Sequence, residues 1–171
     1  MEKHLIEEWF ELYEKDVTSY LIYYTGSIDV EDLVQETYLR AMKKMTVYKK
    51  NGHPKTWLVS IARNMVIDQY RKSNVWNKIR HLFIKEQDIL INNMEQNIMI
   101  NQDNSVLYHT INQLPAHYKE IIILKGIMEM SSKEVGLVIR SNENNVNVLY
   151  HRSLKKLKEL LEKEGFEHGR I

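Results

Sequence analysis

The sequence has no cysteine, and this absence excludes disulfide bonds, thiolate metal sites and a thiol nucleophile. It has only two prolines and six glycines in 171 residues, and no stretch alternates apolar and polar side chains as a half-buried strand would. The longest aliphatic run, Ile121 to Leu124, is far too short to span a bilayer, and residues 1–10 do not resemble a signal peptide. These absences predict an all-α protein of the reducing cytoplasm.

The whole chain also lacks an excess of charge of one sign, since its net charge is only +1. The charges are nevertheless unevenly distributed along the sequence. Residues 1–36 hold ten acids and two bases, whereas residues 37–73 hold nine bases and one acid. Residues 140–158 hold five bases and one acid. Two basic segments are typical of a protein that binds a polyanion such as DNA. The alternative is that each is the solvated face of a helix.

Apolar residues recur at helical spacing along most of the chain. The predicted first helix places six of them on one face: Leu5, Trp9, Leu12, Tyr13, Val17 and Tyr20. Asp29 is the predicted N-cap of a second helix that runs to about Met45, because a short polar side chain can accept from the first turn. A loop over residues 46–54 then leads to a third helix.

The chain divides into two predicted helical domains. Residues 1–73 form the first, residues 74–104 are an Asn- and Gln-rich connector, and residues 105–171 form the second. In the second domain, Pro115 is predicted as the first residue of a helix, since proline tolerates that position. The expected buried side of the last helix consists of Val146, Leu149, Leu154, Leu157 and Leu161.

Residues 131–158 carry the strongest local pattern. Ser131 and Glu134 form a predicted capping box for a short helix that includes Val135, Leu137 and Val138, and Asn142 is the expected cap of the longer, basic helix after the turn. This spacing is typical of a helix-turn-helix, whose second helix enters the DNA major groove. An ordinary helical hairpin is the alternative.

Three parts of the sequence resemble the small extracytoplasmic-function (ECF) group of sigma-70 family RNA polymerase sigma factors. They are Asp32–Ala41, Thr56–Asn64 with Asp68, Arg71 and Lys72, and Leu114–Pro115 together with residues 131–158. They occur in the family's order and cover most of the chain. The resemblance implies that residues 1–73 are sigma region 2, which binds core polymerase and recognises and melts the promoter −10 element. It implies that residues 105–171 are sigma region 4, which reads the −35 element.

The second helix is the part that, by this resemblance, docks on the β′ coiled coil of the polymerase. The implied contacts are Asp32, Leu33, Gln35, Glu36 and Leu39. A solvated helix face is the plainer reading of the acids. A nuclease-like pair of Asp32 and Glu36 is a third reading, but no histidine or further acid is placed to complete a metal site.

For the −10 element, the resemblance implies contacts from a loop and from the third helix. The implied set is Tyr48, Lys49, Lys50, Asn51, His53, Arg63, Asn64, Arg71 and Lys72. Capture of an unstacked base requires a pocket together with bases that neutralise the backbone. Trp57 is more simply a core residue, and His53 more simply a polar loop residue than a metal ligand.

For the −35 element, the implied contacts lie in the helix-turn-helix. They are Lys133, Ser141, Asn142, Glu143, Asn144, Asn145, Asn147, His151, Arg152, Lys155 and Lys156. Side-chain amides can read base edges, and the later bases can contact phosphates. The chain departs from the family here, which usually has glycine in place of Arg140, often has Thr, Lys and Arg in place of Asn145, Asn147 and Leu149, and more often has an aromatic residue in place of Gly126.

The predicted function is therefore that of a sigma factor, which is not an enzyme and needs no metal, cofactor or small-molecule substrate. The implied partners are core RNA polymerase, through its β′ coiled coil and β flap, promoter DNA, and an anti-sigma factor that can hold the protein at the membrane. Two other functions stay open at this point. One is a stand-alone helix-turn-helix regulator that dimerises, and the other is a metal-dependent enzyme that uses the acidic N-terminal helices.

Overall fold

The structure, a computed structural model, describes residues 2–48, 52–83 and 102–165. Its α-helices are α1 (Glu2–Thr25), α2 (Glu31–Lys43), α3 (Pro54–Phe83), α4 (Gln102–Gln113), α5 (Ala116–Ile121), α6 (Ser132–Ile139) and α7 (Glu143–Lys163). A 3-10 turn at Met45–Val47 follows α2, and a π-helical segment at Ile122–Ile127 continues α5. The described ranges contain no strand, which confirms the predicted all-α class.

The observed helix starts confirm two of the predicted caps and contradict two other predictions. The capping box of Ser131 and Glu134 is confirmed, and the Asn142 side chain caps α7 by accepting from the Asn145 amide at 2.8 Å. Asp29 as the cap of α2 is wrong, because α2 begins at Glu31 and Val30 occupies the cap position without a side-chain hydrogen bond. Pro115 is the N-cap of α5 and not its first residue.

The N-terminal half is built from α1, α2 and α3, which pack against one another. Val17, Tyr20 and Leu21 of α1 and Leu58 of α3 are completely buried in its core. Leu12 was predicted on the buried face of α1, but its side chain is 58% exposed. At 100° per residue, Leu12 lies off the stripe of Trp9, Val17 and Tyr20, so it faces solvent.

The C-terminal half packs α5, the π-helical segment and α6 against α7, and α4 also contacts α7. The aliphatic run Ile121 to Leu124 is its buried centre, together with Val135 and Val146. Leu154 was predicted on the buried side of α7, but its side chain is 42% exposed. Leu157, predicted on the same side, is buried, and Val138 is buried in α6.

The two halves contact each other directly. Helix α3 packs along α6, helix α1 contacts the π-helical segment, and the buried apolar residues of both halves form one continuous core. Helix α3 runs past residue 73, the predicted end of the first domain, to Phe83. Within the predicted connector, residues 84–101 lie outside the described part of the chain. This contact between the two halves engages one predicted site residue of α3, Arg63.

Candidate polymerase and nucleic-acid interfaces

Helix α2 presents a coherent outward face. Its buried side consists of Val34, Thr37, Tyr38 and Ala41. On the opposite side, Asp32, Gln35 and Leu39 are exposed at the i, i+3 and i+7 spacing of one helix face. Leu39 is 46% exposed, and Met42 extends the apolar end of the face. The predicted polymerase contacts are therefore brought together, except that Leu33 is half-buried and packs against the core.

Glu36 has a local partner that the sequence analysis did not assign. Its carboxylate accepts from the Arg40 Nε at 2.7 Å, one turn along the helix. This hydrogen bond, aided by the positive charge of Arg40, lowers the pKa of Glu36 below its usual value. Glu36 is thus a charged member of the α2 surface at neutral pH.

The loop before α3 is attached to a cluster of aromatic rings. The Tyr48 ring lies 5.0 Å from the Trp9 ring and 4.8 Å from the Trp57 ring, measured between centroids. The Tyr48 hydroxyl donates to the Gly52 carbonyl at 2.6 Å, which closes the loop. The core role favoured for Trp57 is confirmed, since it packs against this cluster and the core. Burial raises the pKa of Tyr48, so its hydroxyl stays a donor.

The remaining predicted −10 contacts that the structure describes are exposed, except for one residue whose side chain is bound to another part of the chain. Asn64, Arg71 and Lys72 are exposed on α3, and His53 is exposed at its start, where its Nδ1 accepts from the Lys55 amide at 3.2 Å. The predicted contacts Lys49, Lys50 and Asn51 lie outside the described residues. Three of the predicted residues therefore share one accessible helix surface.

Arg63 is the exception. Its side chain points away from that surface and into the contact between the two halves. Its guanidinium donates two hydrogen bonds to the carboxylate of Glu120 in α5, the second of them at 3.1 Å. In this arrangement Arg63 is not free to contact a phosphate. Glu120 could not be predicted as a partner from the sequence, since no local signal marks a residue that lies 57 positions away.

The turn of the helix-turn-helix has one left-handed residue and one close approach of the backbone. Arg140 ends α6 in the left-handed conformation, with φ 58° and ψ 51°, which agrees with the family's usual glycine there. Gly136, which the sequence analysis did not single out, lies under the turn, where a Cβ atom would be 2.6 Å from the Ser141 carbonyl oxygen. A glycine in the middle of a short helix is the signal that marks such a close approach.

Helix α7 presents its N-terminal half to solvent. Seven of the predicted −35 contacts are exposed along it: Glu143, Asn144, Asn145, Asn147, His151, Arg152 and Lys155. Lys133 and Asn142 are exposed as well, Ser141 is half-buried in the turn, and Lys156 is half-buried and lies 3.5 Å from the Glu159 carboxylate. Most of this set is therefore accessible to solvent on the helix-turn-helix. The Asn142 side-chain oxygen is already used as the α7 cap.

Asn147 is held by neighbours that the sequence analysis did not assign. Its side-chain oxygen accepts from the Ser132 hydroxyl at 2.5 Å, and Ser132 accepts from the Lys125 ammonium at 2.8 Å. The Lys125 ammonium also lies 5.4 Å from the centre of the Tyr150 ring, a cation–π distance. This hydrogen bond uses the Asn147 side-chain oxygen, and Asn147 is exposed.

Replacing Arg140 by glycine should stabilise the protein by about 0.5 kcal/mol, because glycine relieves the left-handed conformation but loses more chain entropy on folding. Urea unfolding followed by circular dichroism measures the change. Arg140→Ala is the matched control, since it removes the side chain and keeps the strain. A glycine variant less stable than the alanine variant would contradict this explanation.

No group of three or more His, Asp or Glu side chains in the described part of the chain could hold a metal ion. Asp32 and Glu36, the acids of the enzyme alternative, therefore have no third ligand among these residues. None of the helices within the same ranges is long and apolar enough to cross a membrane.

Comparison with known proteins gives the same two regions. The pattern of Sigma-70 region 2 matches residues 9–75, and that of Sigma-70, region 4 matches residues 105–157. The ECF RNA polymerase sigma factor SigX of Bacillus subtilis is 30% identical over 92% of this chain and 86% of its own. SigM of the same organism is also 30% identical, over 91% of this chain and 94% of its own.

Solved structures share the fold. The sigma factor RpoE of Bartonella quintana, in complex with the anti-sigma factor NepR, aligns with a TM-score of 0.73 and 24% identity. That alignment covers 91% of this chain and 96% of RpoE. CnrH, in complex with the cytosolic domain of CnrY, aligns with a TM-score of 0.70 and 18% identity over 94% of this chain and 90% of its own.

The helical fold, the two matched regions in order and the near full-length relatives agree with one another. They do not favour a stand-alone helix-turn-helix regulator. The chain belongs to the ECF group of sigma-70 family RNA polymerase sigma factors, the proteins that direct RNA polymerase to promoters.

Proposed function

We propose that the outward face of α2 is the surface that binds core polymerase, on the β′ coiled coil. The observation that carries this proposal is the alignment of Asp32, Gln35 and Leu39 on an exposed helix side whose opposite side is fully packed. A rigid helix that offers an apolar residue between polar ones is a common docking element for another helix. The charged Glu36 lies at the edge of the same face and adds orientation through its charge.

The exposed surface of α3 is proposed to bind the −10 element. Asn64 can hydrogen-bond to an unstacked base, and Arg71 and Lys72 can neutralise nearby phosphates. The predicted loop contacts before α3 belong to the same proposal. Melting would be driven by binding to the open strand and not by covalent chemistry, so no enzymatic step is required.

The exposed side of α7 is proposed to read the −35 element. The C-terminal half of the chain is also proposed to contact the β flap of the polymerase. Asn144, Asn145 and Asn147 present amide groups where a recognition helix meets base edges, and Arg152 and Lys155 follow where it meets phosphates. Each of the two DNA contacts, at the −10 and at the −35 element, is weak alone. Binding to polymerase holds both surfaces at one promoter and so raises their effective concentration there.

An anti-sigma factor is the proposed regulator, and the cytoplasm the proposed compartment. The solved relatives RpoE and CnrH were each captured with a partner, NepR and CnrY, of which NepR is an anti-sigma factor. A membrane-anchored partner would hold this protein at the membrane. Co-purification of the full chain with the products of adjacent genes would identify it, and a partner that leaves core binding unaffected would contradict this role.

Reconstitution of transcription tests the main proposal. Purified protein is added to core polymerase with a library of promoter fragments from the cognate genome, and run-off transcripts are sequenced. We expect transcripts with discrete start sites that share two upstream elements. Absence of transcripts together with absence of core binding would overturn the proposal. A stable complex of a homodimer with duplex DNA and no polymerase would favour the regulator instead.

Replacing Asn64 by alanine should reduce open-complex formation about tenfold, the loss expected for one base contact, and leave core affinity unchanged. Permanganate reactivity of unpaired thymines measures opening, and fluorescence anisotropy measures core binding. Gln69→Ala is the control, since Gln69 is also exposed on α3. Equal losses of opening and core binding would indicate a folding role for Asn64.

A further inference from the structure

A chain of three polar side chains links the helix-turn-helix to the segment before it. Lys125 lies in the π-helical segment, Ser132 is the first residue of α6, and Asn147 lies in the second turn of α7. The Lys125 ammonium donates to the Ser132 hydroxyl at 2.8 Å, and that hydroxyl donates to the Asn147 side-chain oxygen at 2.5 Å. We call these three residues the amide relay. It connects a residue outside the predicted −35 set to one inside it.

The directions of these hydrogen bonds are set by chemistry at the lysine end. A lysine ammonium has donors and no acceptor, whereas a hydroxyl has a single donor. A hydroxyl that accepts from a cation becomes a stronger donor and a poorer acceptor. The second bond therefore favours the Asn147 oxygen as acceptor over the Asn147 nitrogen as donor. Lys125 thus selects one of the two orientations of an amide that lies two hydrogen bonds away.

Lys125 is held in place by a second contact. Its ammonium lies 5.4 Å from the centre of the Tyr150 ring, a cation–π distance. Lys125, Ser132 and Tyr150 are all half-buried, so water competes less for these contacts than for those of an exposed lysine. The π-helical segment, α6 and α7 also pack against one another. The relay therefore begins among packed residues, and its last member, Asn147, is exposed.

The relay changes what Asn147 can offer to a base. An asparagine reads adenine by accepting from its N6 amino group and donating to its N7. In the relay the Asn147 oxygen already accepts from Ser132, so the accepting half of that pairing competes with an internal hydrogen bond. The side-chain nitrogen keeps its two N–H donors, and guanine presents two acceptors, N7 and O6, at the same edge. An asparagine held in this way favours guanine over adenine.

Neighbouring asparagines distinguish the relay from a general property of α7. Asn144 and Asn145 are exposed in the first turn of the helix. The hydrogen bond of Asn145 to the Asn142 cap uses the backbone amide of Asn145. A cap that holds the backbone does not select an orientation of the side-chain amide. The relay thus acts on Asn147 alone among these residues, and its effect should be confined to one base pair.

We propose that Lys125 is a positioning residue for −35 recognition, which acts through Ser132 to orient the Asn147 amide and makes that amide favour guanine over adenine at one base pair. This inference rests on the proposed function, which assigns the −35 element to α7. Lys125 need not touch DNA in this role. The specificity of the reading helix is then set in part by a residue of the segment that precedes the helix-turn-helix.

Lys125→Met tests the relay at the promoter, because it keeps most of the apolar stem and removes every donor. The full chain and core polymerase bind a pool of duplex promoter fragments that have a constant −10 element and a randomised −35 element, and the bound fragments are sequenced. Asn147→Ala identifies the base pair that this side chain reads. At that base pair we expect the wild type to favour guanine, and the guanine-to-adenine ratio to fall about fivefold in Lys125→Met.

Further variants separate orientation from charge and from folding. Lys158→Met removes a lysine that is exposed on α7 outside the predicted −35 set, and it should keep the wild-type ratio. Ser132→Ala should lower the ratio as Lys125→Met does, and Ser132→Thr, which keeps a hydroxyl, should retain it. In the Asn147→Ala background, Lys125→Met should have no further effect, since the amide that it orients is gone. A general loss of folding would lower the recovery of all fragments and leave the ratio unchanged.

The relay can also be measured without DNA. In the isotope-labelled full chain, the side-chain amide signal that disappears from the NMR spectrum of Asn147→Ala belongs to Asn147. We expect Lys125→Met to shift this signal, because the amide is no longer held in one orientation. Lys158→Met should leave it in place. An Asn147 signal that is the same in the wild type and in Lys125→Met would show that no relay reaches this amide.

The outcomes separate the inference from the proposed function. If the wild type binds no core polymerase and selects no −35 sequence, the proposed function fails and the inference falls with it. If the wild type selects a −35 sequence, the inference is overturned when no base pair depends on Asn147, when that base pair favours adenine, or when Lys125→Met keeps the ratio. An equal fall of the ratio in the Asn147→Ala background overturns it as well, because Lys125 would then act on DNA directly. A fall that requires both Asn147 and the Ser132 hydroxyl supports the inference.

Discussion

Replacing Gly136 by alanine is expected to lower the free energy of unfolding by about 2 kcal/mol. The new Cβ would lie 2.6 Å from the Ser141 carbonyl oxygen, a distance that only a shift of the helix-turn-helix backbone can relieve. Forcing an extra carbon into a packed site costs about 3 kcal/mol, and the better helix propensity of alanine returns about 1 kcal/mol of this. Urea unfolding monitored by circular dichroism measures the difference.

Gly126→Ala is the control for this experiment. A Cβ at Gly126 would meet the Tyr150 hydroxyl at 3.7 Å, an ordinary contact, so alanine there should be neutral or slightly stabilising. If both variants unfold at the same urea concentration, the close approach under the turn does not determine stability. The Gly136 variant should also lose −35 contact, because the turn that orients α7 must move.

Replacing Leu39 by aspartate is expected to weaken binding to core polymerase about thirtyfold. Leu39 is the apolar centre of the outward α2 face, and an interface hot spot contributes about 2 kcal/mol. A carboxylate buried at that point would have no cation to pair with and would lie beside Glu36, which already carries a negative charge. Titration of labelled protein with core polymerase gives the dissociation constant.

Leu12→Asp is the matched control, since Leu12 is exposed on α1 of the same half and lies outside the α2 face. It should leave core affinity unchanged. The thermal unfolding of both variants should match that of the wild type, because both leucines are on the surface. Equal weakening by the two substitutions would show that the effect comes from surface charge and not from this face.

Features that depend on neighbouring residues could be predicted from the sequence. The capping box at Ser131 and Glu134 and the Asn142 cap span three positions each, so their geometry follows from local spacing. The family's usual glycine at the position of Arg140 agrees with the left-handed backbone that the structure has there. The helix class and the order of the two regions followed from periodicity and resemblance.

Features that depend on distant residues could not be predicted. Helical periodicity shows which face is apolar, but it does not show what covers a polar residue at the edge of that face. Arg63 therefore resembled the exposed Asn64 beside it, although Glu120 engages it. Leu154 likewise fits the apolar spacing of α7, yet its side chain is 42% exposed. Such assignments require the packing of the helices on one another.

The Glu134 carboxylate divides its two oxygens between two tasks. One accepts from the Ser131 amide at 2.8 Å and begins α6, and the other accepts from Thr56 of the opposite half at 3.2 Å. Partial burial raises the pKa of Glu134, but the hydrogen bonds from Ser131 and Thr56 outweigh it and lower that pKa below its usual value. A substitution at residue 134 therefore affects two properties at once during evolution. Aspartate, for example, would be too short to reach both donors. A change at residue 134 that alters how the two halves associate would also weaken the start of α6 in the DNA-reading motif.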